Sequence, residues 1–79
     1  MATDWQESGG AMRRDFEFEN FVEAFGFVTQ VALVAQRLDH HPDIFISWNK
    51  VTITSTSHDT GGTITDRDHK LVAAIDKLV

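Results

Sequence analysis

The sequence predicts an α+β domain: a four-stranded antiparallel sheet with two helices packed on one face, in the order β-β-α-β-β-α. Three patterns predict it. Residues alternate with period two beside a Gly-Gly pair near the start, a long central stretch repeats its apolar positions at steps of three and four, and two β-branched runs precede a short second amphipathic segment. At 79 residues the chain holds one domain, residues 1–79, with one small core. A core that small favours subunits that complete one another.

Gly9-Gly10 marks the first turn. After it Met12, Arg14, Phe16 and Phe18 alternate with Arg13, Asp15 and Glu17, which predicts a half-buried strand paired back across the glycines with a short first strand. From Asn20 to about Leu38, the residues Phe21, Ala24, Phe25, Val28, Val31, Ala32, Ala35 and Leu38 form one wide helical face. Asn20 is the expected N-cap, with Glu23 as its capping-box partner. Phe27 and Val34 fall outside that stripe and suggest a second apolar surface that meets another subunit.

Pro42 stops the helix at Asp39-His40-His41, because proline and the residue before it leave helical angles. Ile44, Ile46 and Trp48 then alternate with Phe45, Ser47 and Asn49, and Val51 to His58 forms a second β-branched run. Asn49-Lys50 is the expected two-residue hairpin turn. After Gly61-Gly62, Thr65 with Asp68 three positions on predicts the start of a closing helix, whose buried stripe is Leu71, Val72, Ile75, Leu78 and Val79.

Composition narrows the function. Twelve acidic against seven basic residues give a formal net charge of -5, and no Lys/Arg run could neutralise a row of phosphates, so nucleic acid is an unfavourable direct ligand. The absence of cysteine removes disulfides, thiolate metal sites and cysteine nucleophiles, and suits a reducing cytoplasm. No apolar stretch approaches the ~20 residues of a membrane span, and the first five residues lack the pattern of a secretory signal.

Chemistry is left to the histidines. His40 and His41 fall where the long helix ends and His58 where the last strand ends, so packing of the helix across the sheet can bring three imidazoles to one rim. Each also has a plainer role: His40 and His41 as cations at a helix C-terminus, His58 as a solvated boundary residue. His69 is expected to face solvent. A metal site is disfavoured by the lack of any HExxH or Cys/His spacing, and no G-x-S-x-G elbow is present.

The segments Ala24-Phe25-Gly26-Phe27-Val28-Thr29-Gln30-Val31-Ala32, Leu38-Asp39-His40-His41-Pro42-Asp43, Trp48-Asn49-Lys50-Val51, Ser57-His58-Asp59 and Asp66-Arg67-Asp68 resemble the pterin-4a-carbinolamine dehydratase family, over most of the chain from about Arg14 to Ile75. The resemblance implies the fold predicted above and assembly as homodimers or homotetramers. It also implies a small-molecule substrate, 4a-hydroxytetrahydropterin, dehydrated to the quinonoid dihydropterin with neither metal nor organic cofactor. By position His40, His41 and His58 match the family's active-site histidines. They are expected to act as general acid toward the leaving hydroxyl (His40), as the residue that fixes the ring (His41) and as base (His58). Pro42, Ser57, Asp59 and Thr60 match pterin-contacting segments, and Asp68 matches a late aspartate that orients a histidine or serves the helix start. Three features depart from the family. Gln36 stands where many members carry a glutamate, Gly61 to Thr65 is one residue longer than the usual link, and the chain begins later than most members, so two helices rather than three are expected. The competing expectation is a non-catalytic, dehydratase-like module that acts as a dimerisation or assembly partner of other proteins.

Overall fold

The computed structural model describes residues 4–79, apart from the side chain of Thr60. Strands β1 (Gln6–Ser8) and β2 (Ala11–Glu17) are followed by helix α1 (Phe21–Leu38), strands β3 (Asp43–Ser47) and β4 (Lys50–Ser55), a 3-10 turn over His58–Thr60, and helix α2 (Asp66–Asp76). The four strands form one antiparallel sheet in the order β1-β2-β4-β3. This is the predicted β-β-α-β-β-α architecture.

The parity of β2 is as its alternation predicts. Met12 and Phe16 are buried and Arg14 is half-buried, while Arg13, Asp15 and Glu17 face out. Val51 and Ile53 of β4 join Phe16 beneath Ala24, Phe27, Val31, Val34 and Ala35 of α1 and Leu71 and Ile75 of α2. Removing this apolar area from water, at about 25 cal/mol per Å², is the main term holding the layers together.

Three local expectations need correction. First, the core face of α1 is rotated from the predicted stripe: Phe27 and Val34 are buried, whereas Phe21, Phe25 and Ala32 are exposed, as are Val22 and Leu33. Phe27 stacks between Phe16 and Phe18 at centroid distances of 4.7 and 5.0 Å, which fixes the rotation. Second, the β3–β4 turn is Trp48-Asn49, since Ser47 pairs with Lys50. Trp48 takes the positive φ of 56°, and Asn49 instead donates its side-chain amide to Phe18 O at 2.9 Å. Third, Val79 is exposed beyond the end of α2, although Leu71, Val72 and Ile75 are buried as expected.

Both helix starts carry the predicted caps. Asn20 Oδ1 accepts from Glu23 N at 3.0 Å, while the Glu23 carboxylate accepts from Glu19 N rather than from Asn20. Thr65 and Asp68 form a full capping box. By length and composition α1 is apolar enough to cross a membrane, but here five of its side chains pack into the core of the domain.

Candidate active site

The end of α1 delivers two histidines in opposite senses. Asp39 adopts left-handed angles (φ 52°, ψ 43°), and the N–H groups of Asp39 and His40 donate to Gln36 O and Ala35 O, the double closure of a Schellman motif. The chain reverses there, and His40 turns inward, 7% exposed, while His41 stays at the surface. Pro42 follows half-buried, outside the cleft wall described next.

The third histidine comes from the segment after β4. Ser57 N donates to Thr63 O and Gly62 N to Ser57 O, closing a small loop around the 3-10 turn that starts at His58. That loop sits tightly on the first hairpin. A Cβ on Gly10, whose φ is 79°, would lie 2.0 Å from Gly62 O, so only glycine fits there.

His40, His41 and His58 thereby line one shallow cleft of about 280 Å³, together with Asp39, Thr56, Asp59 and Arg67. Arg67 Nη2 donates to Asp59 Oδ1 across its lip. Thr60 belongs to the same turn, and its side chain lies outside the described residues. His69 is exposed on α2, away from the cleft. Among the described residues no group of three or more His, Asp or Glu side chains is placed to hold a metal ion.

Behind the cleft lies a buried polar network. His40 Nε2 donates to Asp68 Oδ1 at 2.6 Å, and Ser55 Oγ donates to the same oxygen at 2.5 Å. Asp68 Oδ2 accepts from Ser57 Oγ at 2.7 Å and from Thr65 N at 2.9 Å. Asp68 is fully buried and Ser57 is 1% exposed, so both stand behind the cleft wall and reach its contents through His40. Burial by itself pushes the Asp68 carboxyl up; the donors His40, Ser55, the Thr65 N–H and Ser57 outweigh that and hold it well below the usual carboxylate range. An ionised carboxylate only accepts, so the proton between the pair sits on His40 Nε2 and Nδ1 is the nitrogen left to exchange a proton. At the surface, His41 Nε2 donates to Gln36 Oε1 at 2.9 Å. Gln36 therefore orients the second imidazole without carrying charge.

Sequence reasoning missed Ser55, the Gln36–His41 pair and Arg67. A signal for Ser55 was present. Val51, Ile53, Ser55 and Ser57 share one parity, so the two hydroxyls continue a core-facing row where only a buried acceptor could satisfy them.

The class defined here is a small α+β domain with three imidazoles in one cleft, a buried carboxylate behind one of them, and no thiols. The model of the pterin 4 alpha carbinolamine dehydratase family matches residues 1–78, and the chain belongs to that family. It is 51% identical over 75 residues to a protein of Prochlorococcus marinus (strain NATL2A) named "Putative pterin-4-alpha-carbinolamine dehydratase", covering 95% of this chain and 78% of that one. A protein of the same name from Rhizobium johnstonii is 46% identical over 71 residues, 90% of this chain and 69% of that one. Among solved structures, a transcriptional coactivator/pterin dehydratase from Brucella melitensis superposes with a TM-score of 0.86 at 37% identity, over 92% of this chain and 79% of the other. A pterin dehydratase-like protein identified as a RuBisCO assembly factor shares the fold alone, with a TM-score of 0.75 at 20% identity over 95% and 86% of the two chains.

Proposed function

We propose that this protein is a hydro-lyase that dehydrates 4a-hydroxytetrahydropterin to the quinonoid dihydropterin, a step in tetrahydrobiopterin recycling in the cytoplasm. The observation that carries the proposal is the convergence of His40, His41 and His58 on one cleft, with His40 held by Asp68. The names of the relatives point the same way. In the reaction the C4a–O bond breaks, the leaving oxygen takes a proton and becomes water, and the ring system gives up a proton as the adjacent nitrogen forms its double bond to C4a. One acid and one base are needed, and imidazoles with pKa near ~6.5 serve as either at neutral pH.

His40 is assigned as the acid. Asp68 occupies its Nε2–H, so the proton delivered to the hydroxyl leaves from Nδ1. His58, on the exposed 3-10 turn, is assigned as the base. His41, oriented by Gln36, fixes the pterin ring and Asp59 flanks it, with Pro42 and Thr60 next to these two in the chain. Ser57 and Asp68 contribute by holding His40 rather than by touching the pterin. No step in this scheme calls for a metal or an organic cofactor. Assembly as a homodimer or homotetramer is part of the same proposal. A second reading, a non-catalytic protein-binding module, draws on the apolar side chains that α1 leaves exposed.

The test is the rate of 4a-hydroxytetrahydropterin dehydration, followed by ultraviolet absorbance, for the wild type beside His40→Ala and His58→Ala. Acceleration that falls at least ~10-fold in each variant supports the enzyme, since acid–base groups contribute ~10²–10⁴-fold. No acceleration by well-folded wild-type protein leaves the binding-module reading in its place.

A further inference from the structure

His40 and His41 are each held at the ring, by Asp68 and by Gln36, whereas among the described residues no hydrogen bond holds the ring of His58. Its place in the cleft is therefore set by its backbone, which belongs to a surface loop. Loops hold a side chain less firmly than strands or helices do, so a loop that carries chemistry needs fixing from outside.

Here the fixing comes from two sides. Thr56 and Ser57, the two residues before His58, are bonded to different elements. Ser57 Oγ donates to Asp68 Oδ2 at 2.7 Å, toward α2, while Thr56 Oγ1 donates to Gly10 O at 2.7 Å, toward the first hairpin. The hairpin also touches the far end of the loop, where a Cβ on Gly10 would lie 2.0 Å from Gly62 O and 3.2 Å from Gly62 C, backbone against backbone. Gly10 thus meets the chain on both sides of His58, at Thr56 before it and at Gly62 after it. Strand β1, which completes the hairpin, buries none of its three side chains, so the turn supports the loop rather than the core.

We propose that the Gly9-Gly10 turn is a clamp that sets where His58 stands in the cleft, with Gly10 and Thr56 as its positioning residues. The two glycines have different duties. Both take the positive φ of a two-residue hairpin turn, 59° and 79°, but a Cβ on Gly9 meets nothing within 4 Å. Alanine at position 9 therefore changes the turn angle alone, and alanine at position 10 adds a collision with the loop. Relieving that contact to 3.0 Å moves hairpin and loop apart by about 1 Å, against the ~0.5 Å within which a catalytic group must be held. His40, pinned by Asp68, takes no part in the contact, so the spacing between the candidate acid and the candidate base is what changes. The inference rests on the proposed function for the chemistry of His58, whereas the position of its ring is read without substrate.

Heteronuclear NMR of the histidine rings, beside the dehydration assay, compares the wild type with Gly9→Ala and Gly10→Ala. Gly10→Ala is expected to shift the His58 ring resonances, leave those of His40 in place and lower turnover at least ~10-fold, since a remote change that misplaces a group by ~1 Å can cost ~100-fold. Gly9→Ala is expected to keep the resonances and the turnover of the wild type. Should Gly10→Ala unfold the chain, Thr56→Val and Thr56→Ser put the same question through the resonances alone, because Thr56 also lines the cleft. Valine removes the bond to Gly10 O and should shift the His58 ring; serine keeps the bond and should not. His58 resonances at wild-type positions in Gly10→Ala or in Thr56→Val overturn the clamp, as do equal shifts in Gly9→Ala and Gly10→Ala, or a displaced His58 ring in an enzyme of undiminished turnover. Wild-type protein without turnover sinks the dehydratase reading instead and leaves the His58 shifts to decide the clamp.

Discussion

His40 Nε2 and Asp68 Oδ1 lie 2.6 Å apart in the interior, joining the end of α1 to the first turn of α2 across 28 residues of sequence. Each carboxylate oxygen accepts from at least two donors, so Asp68 is fixed in orientation and held ionised.

Replacing Asp68 with Asn puts an amide N–H₂ where two donors converge. At pH 7 Asp68→Asn is expected to lose about 2–6 kcal/mol, because the amide N–H₂ leaves two buried donors unpaired at ~1–3 kcal/mol each. The sign of the pH dependence follows from the lowered Asp68 pKa. Its stabilising contribution is present above the unfolded value of ~3.9 and is lost as pH falls through the lower folded value. Urea unfolding at pH 7 and pH 3 should show the gap between variant and wild type narrowing at the lower pH. A gap that stays constant would refute a charged Asp68.

Ser55 tests the network without touching the His40–Asp68 hydrogen bond. Ser55→Ala removes one hydrogen bond to a charged oxygen in the core and is expected to cost about 1.5–3 kcal/mol. Thermal melts measure it, and a variant as stable as the wild type would mean that Asp68 does not rely on this donor.

Gln36 separates orientation from stability. The residue is exposed, so Gln36→Leu should change stability by no more than about 0.5 kcal/mol. It removes the acceptor of His41 Nε2–H, and turnover is expected to fall about fivefold, equivalent to about 1 kcal/mol, the net worth of one neutral hydrogen bond. Parallel urea and rate measurements decide it; unchanged turnover would remove His41 orientation from the scheme.

The order of elements was readable because each has a local signature: parity in β2, the Thr65–Asp68 box, the stop at Pro42. The rotation of α1 was not. Its apolar residues nearly encircle it, from Phe21, Val22 and Phe25 to Phe27, Val31 and Leu33, so the periodicity admits more than one face. The choice is made by Phe16 and Phe18, which arrive from β2. In the same way the three histidines could be named as candidates, but the partner of His40 could not, since the His40–Asp68 contact exists only after α1 and α2 have both docked on the sheet. The hairpin turn was misplaced by one residue because Asn49 suits positive φ, yet its side chain is taken by Phe18 O and the strained angle passes to Trp48.

That exchange yields the last prediction. Trp48 is large and aromatic, and deleting such a side chain from a core costs several kcal/mol, but here it is 66% exposed at a φ of 56°. Glycine relieves a left-handed cost of about 1–2 kcal/mol and gives back about 0.5–1 kcal/mol in chain entropy. Trp48→Gly should therefore stay within about 1 kcal/mol of the wild type, whereas Phe16→Ala, which empties a site 2% exposed, should lose about 3–5 kcal/mol. Trp5 packs on Phe16 and remains as a fluorescence probe of unfolding in the Trp48 variant. A loss above about 2 kcal/mol in Trp48→Gly would show that the indole is buried in the assembled protein, and would place the β3–β4 turn in a subunit contact.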